Sequence, residues 1–244
     1  MPEPFGWETI DLSSIPPLPT GEIHIYATLL APDPKWASDA RRLLDDSERD
    51  RAARFRFEED RYRFEKTRTA LRILLGSYLG AEPREVQFRE GTYGKPYLAE
   101  SDAAIQFNVS HTKGASVLAF AREVEVGVDI EHARRKVDIE GVGRKVFTTS
   151  EQASVRVLGN SSALRQFFRL WTAKEAHLKA TGSGLSCNPA SIQADFEKCQ
   201  FCAADSAKDS LPYTLREIGT KNQFQVCIAH QVCDPPILRL GEFD

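Results

Sequence analysis

Three acidic residues stand where the surrounding sequence calls for apolar side chains, and they limit what this chain can fold into. Asp129 and Glu131 close the run Gly127-Val128-Asp129-Ile130-Glu131, and Glu175 lies in Trp171-Thr172-Ala173-Lys174-Glu175-Ala176-His177-Leu178-Lys179. The stretch from Ser116 to Ile130 reads as two apolar strands joined by a charged turn at Arg122-Glu123. Alternate residues of a strand share a face, so Asp129 and Glu131 point the same way. In the second run Leu164, Phe167, Phe168, Trp171 and Leu178 recur at helical spacing, and Glu175 falls inside that apolar stripe. An unpaired carboxylate aimed at a core is strongly destabilising, so the three acids demand a partner. A divalent cation shared by Asp129, Glu131 and Glu175 would be one. The plainer alternative is a solvated strand end for the first two and a surface Glu175–Lys179 pair at i,i+4, worth about 0.2–0.5 kcal/mol.

The 244 residues suffice for one large domain or two small ones. A hydrophobic content of 41% with 27% charged residues fits a soluble globular chain, and a net charge of −3 argues against wholesale nucleic-acid binding. No apolar run approaches the roughly 18 residues of a membrane span. Met1 to Pro19 is acidic and proline-rich, without the basic start and apolar centre of a signal peptide, so a cytoplasmic location is expected. Five cysteines, Cys187, Cys199, Cys202, Cys227 and Cys233, do not form a disulfide framework. Cys199 and Cys202 have metal-ligand spacing, but no second C-x-x-C answers them. Reduced thiols in and near packed strands are therefore expected rather than zinc.

Along the chain, Glu22 to Leu30 alternates as a half-buried strand. Ser47 with Asp50 reads as a helix-capping pair opening a basic helical segment to about Phe57. A second helix is predicted over Asp60 to Leu79, then strands near Val86–Phe88, Ile105–Val109, Ser116–Ala121 and Val126–Glu131. A helix over Glu140–Val146 precedes a new cap at Thr148 with Glu151, and the long helix Leu164–Ala180 stops at Gly182. Strands near Ile192–Phe196, Tyr213–Ile218 and Gln223–His230 complete the set, with Lys198 to Pro212 read as a mobile surface loop. Each half thus supplies a long helix followed by mostly antiparallel strands. The expected class is α/β (α+β), with halves at residues 1–131 and 132–244. Duplication shows in the order of elements and not in any residue-level repeat.

Other candidates carry two readings each. Phe107-Asn108-Val109-Ser110-His111 ends a strand with a hydroxyl and an imidazole, which can both donate to an anion or bond locally. Gly94-Lys95-Pro96 follows Gly91-Thr92-Tyr93 and places a lysine in a tight turn. It is not a phosphate-binding P-loop, because the glycine spacing differs and Pro96 stands where a Ser or Thr belongs. The basic stretch holding Arg49, Arg51, Arg54, Arg56, Arg61 and Arg63 is interleaved with Glu58, Glu59 and Asp60, which favours a solvated helix face over a nucleic-acid stripe.

In this order, Gly94–Pro96, Phe107–His111, Gly127–Glu131 and Trp171–Lys179 resemble the 4′-phosphopantetheinyl transferases. The match is to the long single-chain type that activates nonribosomal peptide, polyketide and fatty-acid carrier proteins. The likeness runs from about Ser47 to Leu185, and Phe147 with Glu151 is similar to the family's connecting motif. The resemblance implies two similar α/β halves packed in pseudo-twofold fashion around a cleft that binds coenzyme A. It implies transfer of phosphopantetheine to a carrier-protein serine, with adenosine 3′,5′-bisphosphate released, by a monomer with no membrane or nucleic-acid partner. Carried over by position, Asp129, Glu131 and Glu175 would hold Mg²⁺. Glu175 is also the choice for the base that draws the serine proton, directly or through water, a role that competes with metal ligation. Lys179 would stabilise the phosphate charge. Ser110, His111, Arg51 and Arg63 would grip the 3′-phosphate and nucleotide end, with Lys95 beside the adenine and its phosphates. Glu48 stands where the family often carries a basic residue, which puts one phosphate contact in question. The basic residues Arg134, Arg135, Lys136, Arg144 and Lys145, interspersed with Val137, Ile139, Val142 and Val146, would dock an acidic carrier helix. A metal-dependent phosphoester hydrolase and a non-catalytic binding module are the rival readings.

Overall fold

The computed structural model describes residues 5–92, 94–99, 104–220, 224–231 and 236–243. In chain order these form β1 (Glu8–Thr9), β2 (Glu22–Leu29), α1 (Pro34–Leu43), α2 (Asp46–Ala53), α3 (Glu58–Leu79), β3 (Phe88–Glu90), β4 (Pro96–Leu98), β5 (Ile105–Thr112), β6 (Ala115–Arg122) and β7 (Val126–His132). There follow α4 (Ile139–Val146), α5 (Thr149–Arg156), α6 (Asn160–Thr181), β8 (Ile192–Asp195), β9 (Gln200–Ala203), β10 (Ser206–Ile218), β11 (Phe224–Gln231) and β12 (Ile237–Glu242). One sheet runs β1-β12-β2-β6-β5 and another β7-β11-β10-β9-β8, with β3 and β4 as a separate hairpin. No helix among the described residues is long and apolar enough to cross a membrane.

Strand alternation decides the layering. Ile23, Ile25 and Ala27 of β2, with Val117 and Ala119 of β6, meet Val128 and Ile130 of β7 and Val226 and Ile228 of β11 in one core between the sheets. The first sheet's other face packs on Leu71, Leu74 and Leu75 of α3. The second sheet's other face packs on Phe167, Phe168 and Leu178 of α6. The molecule is therefore helix, sheet, sheet, helix.

The halves repeat one another in detail. Both long helices have 22 residues and both end on a left-handed glycine, Gly80 (φ 65°) and Gly182 (φ 66°). Before each stands a short helix with a capping box, Asp45 with Glu48 and Thr148 with Glu151. In each half the capping glutamate reaches a buried cation on the long helix: Glu48–Arg72 at 2.7 Å and Glu151–Lys174 at 2.8 Å. Each cation then donates to carbonyls just beyond its helix, Arg72 to Pro83, Arg84 and Val86, and Lys174 to Pro189 and Ile192. The strand orders β2-β6-β5 and β7-β11-β10 correspond as well. The halves thus share a capping glutamate paired to a buried cation as well as the order of their elements.

Several expectations change. The capping pair of α2 is Asp45 and Glu48, not Ser47 and Asp50, because Glu48 serves both the cap and the buried arginine. Residues 198–212 are not a loop: β9 and β10 pair antiparallel there, with register shifts between Ser206 and Thr214. Their polar composition conceals a hairpin flanked by β8 and β11, whose main chain pairs regardless of side chain. Sheet membership also divides the chain differently from a cut at residue 131. β7 belongs to the second sheet, and β12 returns to the first, parallel to β2 with Leu238 opposite Ile23. The strand expected at Val86–Phe88 begins at Phe88, after a single 3-10 turn at Pro83–Glu85.

Candidate active site

Gly127 explains how a strand of one sheet comes so close to α6. A Cβ there would lie 2.1 Å from the Ala176 carbonyl oxygen and 2.3 Å from the Ala180 nitrogen, so only glycine lets β7 and α6 meet. That approach sets Asp129 and Glu131 beside Glu175 and Lys179. Asp129 is 5% exposed. Its Oδ1 accepts from Lys179 Nζ at 2.6 Å and from Ser110 Oγ at 2.8 Å. Its Oδ2 is buried with no hydrogen-bond partner among the described residues. Glu131 accepts from Thr112 Oγ1 at 3.2 Å and from Arg135 at 2.8 Å. Burial, and then the Asp129 charge, push the Glu175 pKa above its ordinary value, with Lys179 opposing and Glu131 adding to the rise. The Glu131 pKa is also raised, first by burial, with Arg135 opposing and Asp129 adding to the rise. Glu175 therefore feels the charge of both other acids, and Glu131 that of Asp129.

Among the described residues no three His, Cys, Asp or Glu side chains stand close enough to hold a metal as they are. Cations of the chain, Lys179 and Arg135, take up that space. The donor set nonetheless fits a hard divalent cation: three oxygen ligands, one with a buried orphan atom and two whose negative charge is disfavoured as they stand.

Two adjoining cavities of about 280 and 340 Å³ share Gly94, Pro96 and Val109 and make one cleft. Glu175, Lys179 and Lys95 line the first, and Arg51, Arg68 and His111 the second. Lys95 projects from the β3–β4 turn and donates to the Ala180 carbonyl at 2.9 Å, joining the first half to the C-terminal end of α6. Burial lowers its pKa, with Glu125 opposing. Tyr93 of the same turn lies outside the described residues. Arg51 is exposed, its guanidinium 5.1 Å from the Phe64 ring centroid. Arg63 bonds Asp60 at 2.7 Å and acts on His111 through its charge. The His111 ring is open to solvent in area yet crowded beyond its rim. Burial first, then the Arg63 charge, lowers its pKa below the ordinary histidine value.

The structure separates two residues that the sequence reading put on one anion. Ser110 and His111 are neighbours on β5 and so face opposite ways. His111 opens on the Arg51 cavity, whereas Ser110 is buried against Asp129, Lys179 and the Ile130 N–H. Glu48 is likewise removed from the cleft by its pairing with Arg72 and with Arg68 at 3.0 Å. Lys174, beside Glu175 in the sequence, is 2% exposed and belongs to the core. Asn108 and Thr112 escaped the sequence reading, although they alternate with Ser110 on one strand face. Cys227 lies on β11 opposite Asp129, is buried and accepts from Thr172, and burial pushes its pKa up to about 12. Cys233 lies outside the described residues.

Known proteins match both halves of this architecture. The family model described as 4′-phosphopantetheinyl transferase, N-terminal, matches residues 31–123, and that of the 4′-phosphopantetheinyl transferase superfamily matches residues 125–233. The 4′-phosphopantetheinyl transferase HetI of Nostoc sp. is 36% identical over 167 residues, covering 68% of this chain and 70% of that protein. A phosphopantetheinyl transferase of Thraustochytrium sp. is 30% identical over 207 residues, covering 78% and 72%. The L-aminoadipate-semialdehyde dehydrogenase-phosphopantetheinyl transferase of Schizosaccharomyces pombe is 31% identical over 195 residues, covering 71% and 74%. With both halves matched by models of one family and with these relatives covering two thirds or more of the chain, this chain belongs to the 4′-phosphopantetheinyl transferases.

Proposed function

We propose that the enzyme transfers the 4′-phosphopantetheine group of coenzyme A to a serine of an apo carrier protein, releasing adenosine 3′,5′-bisphosphate. The observation that carries this reading is the convergence of Asp129, Glu131, Glu175 and Lys179 at one end of a cleft whose other end bears Arg51 and His111. Asp129, Glu131 and Glu175 would hold Mg²⁺, which when bound neutralises charge on the pyrophosphate. Arg51, Arg63 and His111 would bind the 3′-phosphate end, with Lys95 on the cleft wall beside it. The serine oxygen forms its bond to the phosphorus nearest the pantetheine, and the bond from that phosphorus to the bridging oxygen breaks. The bisphosphate leaves with that oxygen. Glu175 takes the serine proton. Lys179 donates to the phosphate oxygens as charge shifts toward the leaving group. Holding both substrates in one cleft supplies much of the acceleration.

Mass spectrometry of apo carrier proteins incubated with coenzyme A and Mg²⁺ tests this. Asp129→Ala and Glu175→Gln are expected to lose on the order of a hundredfold or more in rate while remaining folded. Parent-like turnover in both overturns the assignment. Release of the bisphosphate from coenzyme A without any carrier favours a hydrolase instead. His111→Ala is expected to weaken coenzyme A binding with little change in kcat, since the ring sits away from the reacting phosphorus. If the variant still prefers coenzyme A over its 3′-dephospho form as strongly as the parent does, His111 does not read that phosphate.

A further inference from the structure

β5 and β7 are edge strands of different sheets, yet they lie side by side without main-chain pairing. An edge strand presents unpaired N–H and C=O groups, and a buried one must satisfy them elsewhere. Here side chains do so. Asn108 Oδ1 accepts from the Val128 N–H at 2.9 Å, and Ser110 Oγ accepts from the Ile130 N–H at 3.3 Å. Lys179 Nζ donates to the Val128 carbonyl at 3.3 Å. Thr112 Oγ1 continues the series by donating to Glu131. Asn108, Ser110 and Thr112 are alternate residues of β5, so one face of one strand supplies all three. Their exposures are 6%, 4% and 8%, so little of this face is open to solvent.

We propose that Asn108 and Thr112 are positioning residues for the transfer reaction, and that with Ser110 they form a side-chain ladder fixing β7 of the second sheet against the first. Asn108 sets the height of the strand through Val128, one residue before Asp129. Thr112 aims the Glu131 carboxylate. The ladder crosses between the halves, so it also registers the cavity lined by His111 to the acids. The role assigned to Glu131 rests on the functional reading above, whereas the strand-fixing role of Asn108 does not.

The test separates the two. In an antiparallel strand successive residues direct their N–H groups to opposite edges, so Val128 and Ile130 face β5 while Asp129 faces β11. NMR amide exchange of the whole protein with Asn108→Ala should show Val128 exchanging faster by about tenfold, with the Asp129 amide little changed. Thr112→Val keeps size and branching but loses the donor. It should weaken Mn²⁺ binding, measured by paramagnetic resonance, by about tenfold. Thr112→Ser, which restores the donor, should return affinity close to the parent's, and the KM for coenzyme A should not move in either. Unchanged Val128 exchange in Asn108→Ala overturns the ladder. Equal Mn²⁺ affinity in Thr112→Val and the parent overturns the role of Thr112. A parent that binds no Mn²⁺ overturns the metal reading and with it the aiming of Glu131, while Val128 exchange still decides the strand-fixing role.

Discussion

The His177 ring lies between Phe201 and Tyr213, with centroids 4.5 and 4.9 Å away, and its Nδ1 is buried without a partner among the described residues. Burial first, and then the neighbouring Lys174 charge, depress its pKa to about 4. A histidine whose folded pKa lies below its unfolded value of about 6.5 contributes stability above 6.5 that is lost as pH falls toward the folded pKa. The parent should therefore lose on the order of 2–3 kcal/mol between about pH 6.5 and 4 from this residue alone. Urea unfolding across that range should show a shallower acid limb in His177→Leu. Parallel limbs in the two proteins would mean that the ring is not held neutral by its surroundings. His177 occupies the same nine-residue run as Glu175 and Lys179, so adjacent residues of one motif serve the core and the cleft in turn. The acids at 129, 131 and 175 are legible from sequence because charge interrupts an apolar pattern. Glu48 and Lys174 are not, because a buried ion pair depends on a partner more than twenty residues away.

At the scale of elements, the spacing between β7 and α6 controls whether those acids meet. Gly127→Ala would place a methyl group against backbone atoms of Ala176 and Ala180, which cannot rotate aside. The helix must retreat, with a destabilisation of about 1–3 kcal/mol typical of overpacking. A shift near 1 Å at the reacting groups can cost about a hundredfold in rate. The expected result is a lowered kcat together with a Tm lowered by several degrees. A variant with the parent's kcat would show that helix spacing does not set the geometry. The long helices, the second capping box and the three strands between Ile105 and Glu131 were all legible, since periodicity and caps are local signals. β10 was missed over Ser206–Pro212 because its polar sequence reads as loop, although its main chain pairs there with β9. α1 escaped notice too, although Asp33 caps it and Pro34 opens it.

Over the whole molecule, the ends of the chain tie the halves together in a way no local pattern announces. β12 lies parallel between β1 and β2, more than two hundred residues from both partners. Phe5 stacks on Phe224 at 5.4 Å, and Trp7 Nε1 donates to the Gly219 carbonyl at 2.9 Å. With the halves so fastened, the surface beside the acids becomes a fixed platform for a partner. Arg134, Arg135, Lys136, Arg144 and Lys145 are all exposed there, in a chain of net charge −3. Val137, Ile139, Val142 and Val146, expected to alternate with them on the docking face, instead pack inward on the core of the second half. Docking of a carrier at this face would therefore rest on charge alone. Arg135 also bonds Glu131, so reversing it would disturb the acids as well as the surface. Arg144 and Lys145 on α4 offer the cleaner test: Arg144 meets Glu140 only at 4.0 Å and is 63% exposed. Rim charges act mainly on association and are screened by salt. Arg144→Glu with Lys145→Glu should raise the KM for an acidic carrier severalfold at low salt and flatten its salt dependence, leaving the KM for coenzyme A in place. A carrier KM equal to the parent's at low ionic strength would return α4 to ordinary solvated surface.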